Sequence, residues 1–253
     1  MRTALLILFV LAQAGTWASP PRVVHVLVAL CDNLHQGIVK VPAGIGNGQK
    51  PGTNLYWGAG YGVKTHFDRS AEWIRVPCGP AGEAHILDRA VWKHRDSAVY
   101  LVADAYDGRN IREATEDLLQ FASGSRPVQI TADGRTIAAG GASDLIAYVG
   151  HDGLMDFALD KEFPAINAER RETIILACIS KRYFAPALQK TGASPLLWTT
   201  GLMAPEAYTL KAALNAWVER KPKEVVREQA AAAYDKYQHC GINGARRLLV
   251  TGW

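Results

Sequence analysis

Five runs of apolar residues along the chain predict buried β-strands. They cover residues 23–30, 98–103, 145–149 and 173–177, with a weaker run at 195–199. None of the runs alternates regularly with polar residues, so both faces of each strand are expected to be covered. That pattern is typical of strands in a parallel sheet rather than of a sheet with one face in water.

Helical spacing of apolar residues appears between and after these runs. The predicted helices cover residues 110–122, 182–190, 205–218 and 223–237. Strands that alternate with helices along a chain favour an α/β fold, built on a mainly parallel sheet with helices on both faces. We therefore expect a layered α/β architecture.

Two segments interrupt the alternation of strands and helices. A glycine- and aromatic-rich stretch at 44–62 forms part of a predicted insertion near residues 38–80. Residues 128–138 are predicted to form a hairpin with Asp133 and Gly134 in its turn, because Asp-Gly favours tight hairpin turns. The chain shows neither an internal repeat nor a linker, so residues 19–253 are expected to form a single domain.

Composition and charge exclude several classes of protein. Of the 253 residues, 49% are hydrophobic and 21% charged, which is ordinary for a globular chain and excludes disorder or a coiled coil throughout. The net charge of +4 is small and spread along the chain, so no nucleic-acid partner is expected. The glycine-rich stretch contains no phosphate-binding motif, and no cofactor is expected.

The first 18 residues have the pattern of a secretory signal peptide. Arg2 precedes a short apolar run, and small residues follow up to Ala18. The run is too short to span a bilayer comfortably. We expect cleavage after Ala18 and a secreted or periplasmic protein that has no membrane association once the signal is removed. A buried first helix or an uncleaved anchor is the alternative.

Candidate chemistry lies at the ends of the predicted strands. In an open parallel sheet, ligands bind beyond the carboxyl ends of the strands. Asp32 and Asn33 follow the first run, His151 follows the third, and Cys178 follows the fourth. Neighbouring strands lie about 4.8 Å apart, so an imidazole and a thiol on adjacent strand ends can approach each other. A cysteine nucleophile requires such a proton partner.

These strand ends resemble the caspase-like cysteine peptidases, most closely the legumain branch. The pieces that carry the resemblance are LIAYVGHDG at residues 145–153 and TIILACIS at residues 173–180, together with the glycine-containing lead-in at 140–144. The resemblance implies a three-layer caspase-like fold with a mainly parallel sheet. It also implies a cysteine-type hydrolase, a peptidase acting on peptide or protein substrates without a metal.

The resemblance also implies roles for individual residues. Cys178 would be the nucleophile, with a depressed thiol pKa, and His151 the acid/base. Asn33 or Asp32 would orient the imidazole, and Asp32 would also select a basic side chain of the substrate. The backbone N–H of Gly153 would stabilise the oxyanion together with that of Cys178.

One departure from the family pattern leaves alternatives open. Asp152 separates His151 from Gly153, where the family has histidine and glycine side by side. A catalytically inactive binding or scaffold protein with the same fold is therefore the main alternative, and an unrelated α/β hydrolase or ligand-binding protein is another. Under the catalytic hypothesis Cys178 stays a free thiol, so any disulfide must pair two of the other three cysteines, Cys31, Cys78 and Cys240.

Overall fold

The computed structural model describes residues 20–253. The predicted signal peptide, residues 1–18, lies outside the described residues. Among the helices that residues 20–253 form, none combines the length and the hydropathy of a membrane-spanning segment.

The centre of the described structure is a mixed eight-stranded sheet. Its strands are β1 Arg22–Ala29, β2 Trp73–Val76, β3 Ile86–His94, β4 Val99–Tyr106, β7 Leu145–Val149, β8 Glu172–Leu176, β9 Ser194–Thr199 and β10 Leu249–Val250. Their order is β10-β9-β8-β7-β1-β4-β3-β2. The five predicted strands correspond to β1, β4, β7, β8 and β9, and these are mutually parallel, as expected. The antiparallel strands β2, β3 and β10 were not predicted.

Six helices accompany the sheet in the described part of the chain. They are α1 Val63–Asp68, α2 Ile111–Ser123, α3 Ser180–Lys190, α4 Ala207–Val218, α5 Lys223–Gln238 and α6 Ile242–Leu248. The four predicted helices correspond to α2, α3, α4 and α5. Both α1 and α6 are short, and the sequence pattern did not indicate them.

The sheet separates two hydrophobic cores, which confirms that helices cover both of its faces. Val24, Val26 and Val28 of β1 pack in the core that includes residues of α1, α4 and α5. Leu27 and Ala29 point the other way, into the core formed with α2 and α3. Successive side chains of a strand point to opposite faces, so a strand buried on both faces is apolar throughout. Burial on both faces therefore explains the continuous apolar run that predicted β1.

The predicted hairpin is present beside α2. Its strands are β5 Pro127–Ala132 and β6 Arg135–Gly140, and Asp133 and Gly134 both have positive φ angles in the turn, as expected. Ile130 and Ile137 pack on Val102 of β4 in a smaller third core.

A buried polar cluster ties this hairpin to the sheet. His25 of β1 is almost fully buried, and its Nε2 lies 3.0 Å from Oδ2 of Asp104 on β4. Its Nδ1 accepts the backbone N–H of Gly140, and Arg89 donates to Asp104 at 2.6 Å. Every ring nitrogen of this histidine has a partner within the core, so the cluster has a structural role.

Gly150, immediately after β7, is expected to be intolerant of any side chain. Its φ is +153°, and an added Cβ would lie 2.7 Å from the carbonyl oxygen of Ala29, which is rigid backbone. We expect Gly150→Ala to lower the free energy of unfolding by about 2 kcal/mol or more. Urea denaturation measures the change. Gly60→Ala is the matched control, because Gly60 has open space around its Cα; equal midpoints for the two variants would contradict the prediction.

Candidate functional site

The sheet brings His151 and Cys178 to the same edge, as predicted. Strands β7 and β8 pair in parallel with a constant offset of 27 residues, from Leu145 with Glu172 to the last pair. The N–H of Gly150 donates to the carbonyl of Leu176 at 3.2 Å, so the pairing continues past β7. The same offset separates His151 from Cys178, and the two residues therefore follow adjacent strands at equivalent positions.

Both side chains line one cavity of about 250 Å³ at the carboxyl ends of the strands. Tyr56 and Gly37, from the segment after β1, form part of its wall. The other lining residues, apart from Gly150, are apolar: Ile38, Val39, Met155, Leu202, Met203 and Pro205. A cysteine and a histidine thus share a small, mainly apolar space that is open to a ligand.

The Cys178 thiol is partly buried, and both of its hydrogen bonds are made with the backbone of Met203. The N–H of Met203 donates to Sγ at 3.4 Å, and the thiol donates to the carbonyl of Met203 at 3.6 Å. Burial raises the pKa of the Cys178 thiol, the nearby Asp152 carboxylate raises it further, and the hydrogen bond from Met203 only partly opposes them. The depressed thiol pKa expected from the sequence is therefore wrong for this state of the molecule, because desolvation disfavours a thiolate here.

Cys178 is held on a strained turn between β8 and α3. The next residue, Ile179, has a φ of +51°, which is costly for a β-branched side chain. Hydrogen bonds fix this turn: Ile179 donates its N–H to Gly201 at 2.9 Å, and Ser180 donates its N–H to Thr199 at 3.1 Å. Strain of this kind persists only where surrounding contacts impose it, and it concentrates at functional sites.

His151 is oriented by a carboxylate. Its ring is 6% exposed, and Nε2 lies 2.8 Å from Oδ2 of Asp156. The same oxygen accepts the N–H of Gly37 at 2.9 Å. Because a carboxylate accepts hydrogen bonds, the proton belongs on Nε2, and Nδ1 is left as the basic nitrogen.

The predicted role of Asn33 beside His151 is wrong. The side chain of Asn33 donates to the carbonyl of Val41 at 2.8 Å and accepts the N–H of Val41 at 3.0 Å. Both ends of its amide are therefore used to close a local loop. The residue that holds the imidazole is Asp156, which follows the short 3-10 turn Gly153–Met155.

The predicted substrate-binding role of Asp32 is wrong as well. Asp32 is 1% exposed, and it accepts hydrogen bonds from the N–H of Leu34, from His35 and from the Gln49 amide. Burial alone would raise the pKa of Asp32, but these hydrogen bonds outweigh it, and the pKa lies below its usual value. The carboxylate is not among the groups that line the cavity. The Asp32 carboxylate instead stabilises the loop that follows β1.

Gly153 does not occupy the position predicted for an oxyanion donor. It lies outside the cavity lining, and a Cβ at this position would meet the ring of Phe157 at 2.8 Å and the hydroxyl of Thr115 at 3.0 Å. Because Asp152 is inserted between His151 and Gly153, Gly153 lies toward α2 rather than at the cavity. His151 and Gly150 are the residues of this turn that contact the cavity.

Asp152 is a buried carboxyl with one free oxygen. It is fully buried, and Oδ1 accepts the N–H of Leu154 at 3.0 Å. Oδ2 has no hydrogen-bond partner among residues 20–253. Burial raises the pKa of Asp152 to about 7, with a smaller contribution from the charge of Asp156. A proton on this carboxyl is therefore gained and lost near neutral pH.

All four cysteines are free thiols, so the expectation of an unbridged Cys178 is confirmed. Cys31 is buried in the core, and burial raises its thiol pKa to about 11. Cys240 is exposed and distant in sequence from the cavity residues. Of these thiols, Cys178 is the one that lines the cavity.

Away from the cavity, Glu83, His85 and Asp117 bring their potential ligand atoms within 4.8 Å of one another. The Arg126 guanidinium is hydrogen-bonded to both carboxylates of this group. Because a cation already occupies the space between the two acids, the cluster is a salt-bridge network rather than a metal site.

Under the hypothesis that Cys178 and His151 form a catalytic pair, Asp156→Ala is expected to lower kcat by about a hundredfold, with KM much less affected. The substitution removes the acceptor that fixes the His151 tautomer, and loss of such an orienting group costs rate rather than binding. Steady-state kinetics on a peptide amide measures the effect, and Asp156→Glu should recover part of the rate. Unchanged kcat would contradict the role of this carboxylate.

Gly37→Ala should reproduce part of that loss without unfolding the protein. A Cβ on Gly37 would collide with Oδ1 of Asp156, which is the movable end of a side chain. The carboxylate is then expected to shift away from His151 at little cost in stability. A thermal melt measured beside kcat separates this displacement from a general loss of folding.

Comparisons with known proteins give no match: no family model, no curated protein and no solved structure is similar to this chain.

Proposed function

We propose that the chain is an exported cysteine hydrolase, a peptidase with a caspase-like fold, in which Cys178 is the nucleophile and His151 the acid/base. One observation carries the proposal: the two side chains follow adjacent parallel strands and line the same cavity. The strained turn after Cys178 and the carboxylate behind His151 support it, because both fix reactive groups in place.

The first chemical step forms a thioester. The Cys178 sulfur attacks the carbonyl carbon of a peptide bond, and the thiol proton passes to Nδ1 of His151. The protonated imidazole then gives this proton to the amine as the C–N bond breaks. The raised thiol pKa means that the resting thiol is neutral, so His151 acts as a general base during the attack rather than as a partner in a resting ion pair.

The second step hydrolyses the thioester. His151 takes a proton from water, the hydroxide attacks the acyl carbon, and the carboxylic acid leaves as the sulfur recovers a proton from the imidazole. Asp156 stabilises the imidazolium that forms transiently in both steps. The backbone N–H of Cys178, on the turn into α3, is our candidate donor to the oxyanion.

Affinity labelling tests this proposal. A peptidyl chloromethyl ketone should alkylate Cys178, with a new C–S bond and release of chloride, and peptide mapping by mass spectrometry identifies the site. Cys240 is an exposed thiol in the same chain and serves as the internal control. We expect His151→Ala to slow labelling of Cys178 by about a hundredfold. Labelling of Cys240 in preference to Cys178 would overturn the proposal.

A binding or scaffold protein with the same fold is the second candidate. The buried Asp152 and the raised pKa of the Cys178 thiol favour it, because both oppose formation of a thiolate. Such a protein would hold a peptide in the cavity without cleaving it. Saturable peptide binding, with neither cleavage nor alkylation of Cys178 by the peptidyl reagent, would support this candidate over the hydrolase.

A further inference from the structure

We infer that the cavity selects a substrate with an apolar side chain next to the attacked carbonyl, an inference that rests on the proposed function. The wall around Cys178 and His151 consists mainly of aliphatic and thioether side chains. Six residues form it: Ile38, Val39, Met155, Leu202, Met203 and Pro205. Side chains of this kind favour an apolar group through the hydrophobic effect, which carries no preference for charge.

None of the described residues that line the cavity is an aspartate or a glutamate. Asp32 is saturated by hydrogen bonds within its own loop, and Asp156, which lies outside the lining, uses Oδ2 to bind His151 and Gly37. Asp152 is fully buried and is not part of the lining. A lysine or arginine of the substrate would therefore lose water without gaining a partner.

An acidic side chain is disfavoured for the corresponding reason. None of the described residues that line the cavity is an arginine or a lysine. The polar side chains in the lining are those of Tyr56, His151 and Cys178, and the last two are needed for the chemistry. The lining therefore favours a substrate whose side chain is neutral and apolar.

The size of the cavity and its surroundings fit a single side chain. Its volume of about 250 Å³ is just below the range of about 300–1,000 Å³ that accommodates whole small molecules. At the mouth, Val39 is 91% exposed and Leu202 is 72% exposed. A bound apolar side chain would cover part of this surface and remove it from water.

Matched peptidyl chloromethyl ketones test the inference. Three reagents share one peptide and differ only in the residue next to the reactive ketone, which is norleucine, lysine or aspartate. Norleucine has an unbranched aliphatic chain like that of lysine but carries no charge. We expect norleucine to label Cys178 at least about tenfold faster than either charged residue, because the charge is desolvated without a partner.

A pair of variants locates the selectivity. Leu202→Glu places a carboxylate at the mouth of the cavity and should shift the norleucine-to-lysine rate ratio toward lysine by about tenfold or more. Leu34→Glu is the matched control, since Leu34 is 82% exposed and lies outside the cavity lining. It adds the same charge and should leave the ratio unchanged.

The outcomes separate this inference from the function on which it rests. Faster labelling of Cys178 by the lysine or aspartate reagent, or an equal shift of the ratio in Leu34→Glu, would overturn the inference and leave the hydrolase in place. Failure of all three reagents to label Cys178 above the rate of Cys240 would overturn both.

Discussion

Cys178→Ala is expected to reduce hydrolysis of a suitable peptide amide by about a thousandfold or more. The thiol is the one that lines the cavity with His151, and no other nucleophile shares that position. Removal of the attacking atom in a nucleophilic mechanism leaves only the contributions of binding and of the oxyanion donors. Release of a fluorescent amine from peptide amides with norleucine, leucine or methionine at the cleaved position measures the loss.

Two further variants show that the loss is specific. Cys240→Ala changes an exposed thiol and should retain full activity with the same thermal stability. His151→Ala should lose activity on a similar scale to Cys178→Ala, and the double variant should lose little more than either alone. Residues that act as a unit are non-additive in this way.

Residual activity of Cys178→Ala close to that of the unmodified chain would contradict the assignment of the nucleophile. Complete inactivity of the unmodified chain toward every peptide would instead favour the binding protein described above. In the first outcome hydrolysis proceeds without Cys178, and in the second no hydrolysis occurs. Hydrolysis and labelling of Cys178, measured on the same protein, therefore distinguish them.

The arrangement of the sheet was predictable because burial on both faces makes a strand continuously apolar. The runs at β7 and β8 identified neighbouring strands, and their parallel pairing placed His151 and Cys178 at equivalent positions on the same edge of the sheet. Strands β2 and β3 were missed for the opposite reason. Each mixes buried positions with exposed or half-buried ones, so neither forms a continuous apolar run.

The partners of the site residues were not predictable in the same way. Asn33 and Asp32 follow a strand end, but their hydrogen bonds go to nearby loop residues such as Val41 and Gln49. Asp156, by contrast, reaches His151 because a short 3-10 turn reverses the chain between them. Contacts formed by irregular loops leave no periodic signal in a sequence. The sequence therefore could not show which of Asn33, Asp32 and Asp156 binds His151, and the folded structure was needed to identify it.

Asp152→Asn is expected to change how the stability of the protein depends on pH. Burial raises the pKa of Asp152 to about 7 in the folded chain, whereas the unfolded value is near 3.8. The folded state therefore keeps a proton that the unfolded state releases between these values. The contribution of Asp152 to stability is greatest below about pH 4, falls as the pH rises toward 7 and is constant above it, a change of up to about 4 kcal/mol.

The asparagine variant removes this slope because its amide cannot ionise. At pH 8 it should be more stable than the unmodified chain by about 2–4 kcal/mol, and at pH 4 the two should agree within about 1 kcal/mol. Urea denaturation at both pH values measures the difference. Asp160→Asn is the control, since the Asp160 side chain is 87% exposed and its ion pair with Arg112 contributes little. An equal stability gain at pH 4 and pH 8 would contradict the assignment to ionisation.

The same variant should make the Cys178 thiol more reactive. The negative charge of the Asp152 carboxylate adds to the effect of burial in raising the pKa of this thiol, so its removal lowers that pKa. Alkylation by iodoacetamide at pH 8 should then be faster at Cys178 in Asp152→Asn than in the unmodified chain, with Cys240 in both as the reference. A rate at Cys178 that does not change would show that Asp152 and the thiol are not coupled. A faster rate, accompanied by higher hydrolytic activity at pH 8, would identify Asp152 as the residue that restrains the nucleophile above neutral pH.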